Sequence, residues 1–168
     1  MIEKKHIIIG LVLFALLTIA AAAAEKPLTK EQSTVALTLL GEARGEGKTG
    51  MYAVACVIQK RTKERSLSLS QVCQENDGKV WQFSCWKDKP YMGTMGRLLK
   101  AKTKQAQYAS QIARAITNGY ELQQSFTGDA NHFYSHKIMK RPPSWTKGFK
   151  PTKIIGNHTF YKLPWATK

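Results

Sequence analysis

The chain has 168 residues, which is enough for one domain and too short for two of ordinary size. Its hydrophobic content of 43% excludes a disordered chain, and 12 Gly with 6 Pro exclude a collagen-like or low-complexity protein. The 26 Lys and Arg against 11 Asp and Glu give a net charge of +15. Such a surface indicates a polyanionic partner, namely nucleic acid, an anionic membrane or a bacterial wall.

The amino terminus has the pattern of a secretory signal. Lys4 and Lys5 precede an uncharged apolar run over residues 7–24 that ends in small residues, which predicts a signal peptide cleaved after Ala24. The alternative is an uncleaved signal anchor, because 18 apolar residues are just enough to span a bilayer. Either way, residues 25–168 are expected to work outside the cytoplasm, in the periplasm or the cell wall, which argues against a nucleic-acid partner.

The basic charge belongs to the exported domain. Removing residues 1–24 takes away two Lys and one Glu, which leaves 24 basic and 10 acidic residues and a net charge of +14. The expected partner is therefore an anionic cell envelope, with transient membrane contact through the amino-terminal segment. The protein is expected to be a monomer.

Local signals predict three helices in the first half of the domain. A capping box of Thr29 and Gln32 begins a helix predicted over residues 30–43. An apolar i, i+3, i+4, i+7 repeat predicts a second helix over residues 49–63. A short third helix is predicted to begin after Ser68.

The second half is predicted to mix irregular, helical and extended segments. Residues 75–98 are expected to be irregular, and their aromatic side chains either cover a core or line a groove. A helix is predicted over residues 100–118, stopped by Gly119. Extended pieces follow at residues 131–134 and 154–162. The fold class is thus a single α+β domain, mostly helical, with a small β-sheet near the carboxyl end.

The three cysteines fall into two environments. Cys56 lies in an apolar helical segment and is predicted to be a buried free thiol. Cys73 and Cys85 flank a turn-rich stretch, so in an oxidising compartment they are predicted to form a disulfide.

Glu42 is the carboxylate in the most unusual position. It occupies the last turn of an apolar helix, directly before a glycine-rich break. A carboxyl held against apolar side chains has a raised pKa, as a general acid at neutral pH requires. An ordinary glutamate at a helix end remains the alternative at this point. Glu46 is predicted to lie in the turn that follows.

The histidines are a weaker candidate for chemistry. His132 and His136 would share a face only in a helix, and His158 is distant in sequence. The spacing lacks the glutamate of the His-Glu-x-x-His motif, so no metal site and no cofactor are expected. A zinc amidase or peptidase that uses these histidines stays as an alternative function.

A longer set of motifs resembles the cell-wall hydrolases of the SleB type, the spore-cortex-lytic enzymes. The similarity runs in order through most of residues 25–168. Its segments are Gly41-Glu42-Ala43-Arg44-Gly45-Glu46, Gly50, Ala53-Val54-Ala55, Val57-Ile58, Arg61, Val72-Cys73, Gln82-Phe83-Ser84-Cys85-Trp86, Ala130-Asn131-His132-Phe133-Tyr134, Ser144-Trp145 and Ile155-Gly156-Asn157-His158-Thr159-Phe160-Tyr161. Two positions depart from the family pattern: Lys60 replaces its usual Asn, and Asp129 its usual Gly.

The resemblance implies a lysozyme-like fold and a peptidoglycan hydrolase. Such enzymes cut the glycan between N-acetylmuramic acid and N-acetylglucosamine as lytic transglycosylases and form 1,6-anhydromuramic products. The resemblance makes Glu42 the catalytic residue. The expected substrate-binding residues are Glu46, Gln82, Phe83, Trp86, Tyr134, Trp145 and His158.

Two questions stay open from the sequence. A non-catalytic wall-binding module, in which Glu42 would be incidental, is a second alternative function beside the zinc enzyme. A short, basic, exported wall hydrolase suits a phage endolysin and equally suits a bacterial remodelling enzyme.

Overall fold

The computed structural model describes residues 26–165, so the predicted signal segment 1–24 lies outside the described residues. In this part of the chain, five α-helices precede a three-stranded sheet. The helices are α1 Lys30–Ala43, α2 Gly47–Arg65, α3 Leu69–Cys73, α4 Lys89–Lys100 and α5 Lys104–Thr117, and the strands are β1 His132–Ser135, β2 Lys153–Ile155 and β3 His158–Tyr161. The prediction of a mostly helical α+β domain with a small sheet near the carboxyl end is confirmed. None of the helices between residues 26 and 165 is long and apolar enough to cross a membrane.

Helix α1 is the centre of the helical core. It starts at the predicted capping box, in which the Thr29 hydroxyl accepts from the Gln32 backbone N–H and the Gln32 side chain accepts from the Thr29 backbone N–H. It packs against all four other α-helices, and Val35, Leu39 and Leu40 on it are fully buried. The carboxyl end of α1 is therefore held in place from several sides.

The sheet forms a second, smaller core on α2. Its order is β1-β3-β2 with both pairings antiparallel, and Phe133 of β1 lies opposite Phe160 of β3. Phe160 is fully buried and packs against Ala53 and Val57 of α2. The sheet is thereby fixed beside the helix that follows α1.

The segment from 89 to 118 differs from the prediction, because it contains two helices instead of one. Asp88 caps α4 by accepting from the Tyr91 backbone N–H at 2.8 Å, and a proline lies in the first turn of the helix. Lys102 adopts a left-handed φ of 50°, and Thr103 then caps α5. The expectation that residues 75–98 are wholly irregular is wrong for the part that forms α4.

The predicted disulfide is also wrong, since all three cysteines are free in the described part of the chain. Each thiol of the expected pair has its own partner: Cys73 bonds to Thr38 and Cys85 to Glu42. Burial raises the pKa of the Cys73 thiol to about 12 and also raises that of Cys85. Cys56 is fully buried with a free thiol, as predicted.

The two departures from the family pattern lie next to each other. The Lys60 Nζ is 3.5 Å from Asp129 Oδ1, so the introduced charges have opposite sign and pair. Asp129 has a φ of 58°, in the left-handed region that glycine adopts at little cost. Asp129 therefore holds a backbone conformation that favours glycine and pairs with Lys60 on α2.

Candidate active site

A cleft of about 540 Å³ lies between the end of α1, the loop that precedes α4, and the sheet. A second hollow of about 300 Å³ adjoins it. The two hollows share Gly41, Glu42, Tyr91, Ser135, Ile138 and His158. Glu42 therefore faces a continuous groove that extends to both sides of its carboxyl group.

Glu42 is held in the groove by the backbone of the loop before α4. Its Oε1 accepts a hydrogen bond from the Cys85 backbone N–H at 2.9 Å. Burial raises the pKa of this carboxyl, and the hydrogen bonds from Cys85 and the positive charge of Arg61 offset only part of that rise. The group therefore stays protonated to a higher pH than an ordinary glutamate, as a proton donor requires.

The residues on either side of Glu42 fix the end of α1. Tyr91 on α4 donates its hydroxyl proton to the Gly41 carbonyl at 2.6 Å and accepts from the Arg44 guanidinium. A side chain on Gly41 would be impossible without movement, because its Cβ would lie 2.7 Å from the Cβ of Cys85. Glycine at this position allows the Cys85 loop to reach Glu42.

Glu46 lies in the single 3-10 turn that follows α1, as expected, and lines the smaller hollow. Both its carboxylate oxygens accept hydrogen bonds from Asn157. Burial by itself would raise the pKa of Glu46, but the Asn157 bonds and the charges of His158 and Lys137 together lower it. This carboxylate is ionised and already bonded within the protein.

His158 lines both hollows from β3. The residue is only 4% exposed, and its ring packs edge-on against Phe133 at 5.0 Å. Burial lowers the pKa of His158 and His136 lowers it further, while Glu46 opposes the change. Its Nδ1 is buried and has no hydrogen-bond partner among residues 26–165.

Three other expected residues also lie in the larger hollow: Gln82, Tyr134 and Trp145. The ring centroids of Tyr134 and Trp145 are 6.1 Å apart and nearly perpendicular. Aromatic faces of this kind are suited to the apolar faces of sugar rings. These side chains form one wall of the groove.

Phe83 and Trp86 lie outside the groove, contrary to the expectation for substrate-binding residues. Phe83 is 1% exposed and packs against Phe133 and under the guanidinium of Arg61. Trp86 donates its indole N–H to the Thr38 hydroxyl at 3.0 Å, which turns the ring toward α1. Both residues support the loop from behind, and neither reaches the hollow.

The sequence did not indicate several residues that line the groove. They are Arg44, Asp88, Tyr91, Ser135, Lys137, Ile138, Met139, Pro143 and Asn157. The aspartate before Lys-Pro was a usable signal, because it marks a helix start that brings Tyr91 to the groove. No local pattern indicates the residues after β1, which reach the groove only through the path of the loop.

The histidines do not form a common site. His132 lies on a strand, its Nδ1 is 2.8 Å from Asn131 Oδ1, and burial lowers its pKa to about 4. His136 bonds to Thr159 at 3.0 Å. Within residues 26–165, no group of three or more His, Cys, Asp or Glu side chains is placed to hold a metal ion.

Comparisons with known proteins agree with this architecture. The chain is similar to the catalytic domain of the germination-specific lytic transglycosylase SleB from Bacillus anthracis, with a TM-score of 0.55 and 22% identity. The match covers 83% of this chain and 100% of that domain, and it confirms the lysozyme-like fold. No curated protein matches the chain.

The family comparison covers most of the domain. The family model described as Cell Wall Hydrolase matches residues 45–161, which include Glu46, the groove-lining part of the sheet and His158. Its match starts just after Glu42, so the role of that residue depends on the geometry of the groove. The extent of the match shows that this chain belongs to the Cell Wall Hydrolase family.

Proposed function

We propose that this protein cleaves the glycan strand of peptidoglycan between N-acetylmuramic acid and N-acetylglucosamine as a lytic transglycosylase. The observation that carries the proposal is the position of Glu42, a partly buried carboxyl with a raised pKa that lines both hollows of the groove. A groove that continues to both sides of the acid suits a polymer cut within its chain. Because the chain belongs to a cell-wall hydrolase family, peptidoglycan is the polymer expected in this groove.

Glu42 acts first as a general acid. Its proton moves to the glycosidic oxygen that leaves, while positive charge develops at C1 of the muramic acid ring. The carboxylate that remains is hydrogen-bonded to the Cys85 N–H and stabilises this charge.

The same carboxylate then acts as a base. It takes the proton of the C6 hydroxyl of the muramic acid, whose oxygen bonds to C1 and closes the 1,6-anhydro ring. Glu42 regains its proton, and no water enters the product. One carboxyl group therefore serves both halves of the reaction.

The state of the other carboxylates supports a mechanism with one acid. Glycosidases that use water or a covalent intermediate need two carboxyl groups at the scissile bond. Besides Glu42, the described groove residues include only Glu46 and Asp88 with carboxylates. Glu46 is bonded to Asn157, and Asp88 accepts from Tyr91 as a helix cap. Both carboxylates therefore already accept hydrogen bonds within the protein, whereas Glu42 combines its place in both hollows with a raised pKa.

The remaining polar and aromatic groups would bind the sugar. Tyr134 and Trp145 offer ring faces, and Gln82 beside them offers a side-chain amide for hydrogen bonds to hydroxyl or acetamido groups. The net charge of +14 of residues 25–168 would hold the enzyme to the anionic wall outside the cytoplasm. With these roles the groove would be a carbohydrate-binding site.

The product of digestion tests the proposal. Purified peptidoglycan is incubated with the protein, and the soluble fragments are analysed by mass spectrometry. We expect muramic ends that are lighter by one water than hydrolysis products. Ordinary reducing ends would show that the enzyme hydrolyses the glycan and is not a transglycosylase. Release of peptides alone would indicate an amidase. No release of soluble fragments would indicate a binding module.

Two variants tie the activity to the groove. Glu42→Gln keeps the oxygen that accepts from Cys85 but cannot donate a proton, so we expect the rate to fall by about 10²–10⁴-fold or more. Glu121→Gln is the matched control, because it removes an exposed carboxylate whose one ion pair within residues 26–165 is with Lys63. Retention of most activity by Glu42→Gln would overturn the assignment.

A further inference from the structure

The long connection between β1 and β2 carries features that the proposed reaction does not use. Residues 136–152, here named the crossing loop, leave one edge strand and enter the strand at the opposite edge, so the loop has to cross β3. Its 17 residues contain only a short 3-10 turn. Connections of this length are uncommon in compact domains and are usually functional.

Trp145 fixes the crossing loop to the outer face of the sheet. Its ring is 5.5 Å from that of Tyr161 on β3 and 6.1 Å from that of Tyr134 on β1. The neighbouring residues Phe160 and Phe133 point to the other face, where Phe160 packs on α2. Trp145 therefore lies on the face of the sheet opposite to the one that packs on α2.

The crossing loop is strongly basic. It contains five Lys and Arg and no Asp or Glu, and all five cations are exposed. None of the five is in an ion pair with another residue of the described range 26–165. The cations are Lys137, Lys140, Arg141, Lys147 and Lys150.

The same region also concentrates exposed apolar side chains. Of the six large hydrophobic residues that are exposed among residues 26–165, four lie in or next to this loop. Ile138 and Met139 belong to the groove wall, but Phe149 at 42% and Ile154 at 64% exposure do not. Exposed apolar groups among cations are characteristic of an interaction surface.

We propose that the crossing loop docks on an anionic lipid bilayer. Lipid phosphates would pair with its cations, and Phe149 and Ile154 would enter the boundary between headgroups and acyl chains. A soluble polyanion would pair with the cations but would leave the side chains of Phe149 and Ile154 in water. A bilayer satisfies both, and this difference decides between the two partners.

Docking would also hold the groove that contains Glu42 close to the membrane surface. Ile138, Met139, Pro143 and Trp145 line the groove and belong to the loop that binds the lipid. The enzyme would therefore cut the glycan strands that lie nearest to the membrane. The docking itself does not depend on the reaction proposed for Glu42, so the two can fail separately.

The experiment needs a signal that is local to the loop, because the apolar run over residues 7–24 can bind any bilayer by itself. A fluorophore sensitive to polarity is attached to Phe149→Cys in the full chain. The three native thiols are buried and unreactive. The matched control carries the label at Tyr120→Cys, a site that is 63% exposed in the wild type and distant in sequence from the loop.

We expect vesicles that contain phosphatidylglycerol to shift the emission of the Phe149→Cys label to the blue. Vesicles of phosphatidylcholine alone should leave it unchanged, and the Tyr120→Cys label should respond to neither. No shift with the anionic vesicles, or an equal shift at both labels, would overturn the proposal. A shift with soluble polyglutamate but not with vesicles would assign the loop to an anionic polymer instead.

A charge reversal provides the second test. Lys140→Glu with Arg141→Glu should weaken the vesicle titration of the Phe149→Cys label at least about tenfold. Lys100→Glu with Lys104→Glu makes the same change in net charge at exposed positions of α4 and α5, and it should weaken the titration much less. If the two double variants weakened vesicle binding equally, only the overall charge would matter. That result would contradict a docking site in the loop.

Discussion

Glu46 and Asn157 form a two-point hydrogen-bonded pair across the groove. Glu46 Oε2 accepts from the Asn157 backbone N–H at 2.9 Å, and its Oε1 accepts from Asn157 Nδ2 at 2.6 Å. Glu46 lies four residues after Glu42, and Asn157 directly precedes His158 in the turn between β2 and β3. The pair thus links the end of the helix that carries the proposed acid to the strand that carries the buried imidazole. We propose that Glu46 acts through this pair as a positioning residue.

We predict strong energetic coupling between Glu46 and Asn157. Each single change, Glu46→Ala or Asn157→Ala, should lower the free energy of unfolding by about 1–3 kcal/mol, because it leaves the partner without its bonds. The double variant should lose less than the sum of the two, by about 1 kcal/mol or more. Urea unfolding of the four proteins measures this cycle, and additive losses would contradict the pairing.

The pairing also predicts how the contribution of Glu46 to the free energy of unfolding depends on pH. The pKa of Glu46 is lowered in the folded protein from its ordinary value of 4.5. Its contribution to stability is therefore fully present above pH 4.5 and is lost as the pH falls through the lower folded value. The difference in unfolding free energy between wild type and Glu46→Ala should shrink in acid and stay constant from pH 5.5 to 8.

Gly156 tests the same contact by steric means. Its φ is +55°, and a Cβ there would lie 2.1 Å from Glu46 Oε2. Gly156→Ala should therefore lower stability by more than the roughly 1–2 kcal/mol of the left-handed backbone alone. In a Glu46→Ala background the obstacle is gone, so the cost of Gly156→Ala should fall. Thermal melting of both pairs measures this, and an unchanged cost would show that the carboxylate does not lie against the turn.

Glu42 is predicted to reduce stability while it serves catalysis. Its pKa is raised above the ordinary 4.5, so its contribution to stability is full below that pH and is lost as the pH rises through the folded value. Glu42→Gln has no charge to bury and still accepts from Cys85. We expect it to melt above the wild type at pH 7 and level with it near pH 4, while the wild-type rate falls over the same rise in pH. A lower melting temperature of the variant at pH 7 would contradict the burial of this carboxyl.

The sequence predicted the elements whose signals are local. The capping box at Thr29 lies within one turn and the apolar repeat of α2 within about two, and both helices formed where these signals placed them. Glu42 could be singled out for the same reason, because a helix end and a glycine-rich break are visible in a few residues. The environment of its carboxyl depends on the Cys85 loop, which lies 43 residues away in the chain. The sequence around Glu42 therefore could not predict it.

The errors concern contacts between distant segments. Glu46 and Asn157 are 111 residues apart, so nothing near Glu46 shows that its carboxylate is already bonded. Cys73 and Cys85 flank a plausible loop, but the spacing does not reveal that both thiols stay free, with Glu42 beside Cys85 and Thr38 beside Cys73. In the aromatic loop, Gln82 faces the groove and Phe83 the core, and only the fold decides between these directions.

Tyr134 and Trp86 are predicted to have different roles, Tyr134 in binding the sugar and Trp86 in stabilising the fold. Tyr134→Leu removes a ring from the groove wall but keeps an apolar side chain on β1. Losing a stacking contact of about 1.4 kcal/mol should raise KM about tenfold with much less change in kcat. Trp86→Phe is the control, because it removes the bond to Thr38 and part of the ring behind the loop and should lower the melting temperature without raising KM. Kinetics on soluble glycan fragments, together with melting curves, measure both effects. A rise in KM for Trp86→Phe, with none for Tyr134→Leu, would place the sugar on the other side of the loop and contradict the groove described for Glu42.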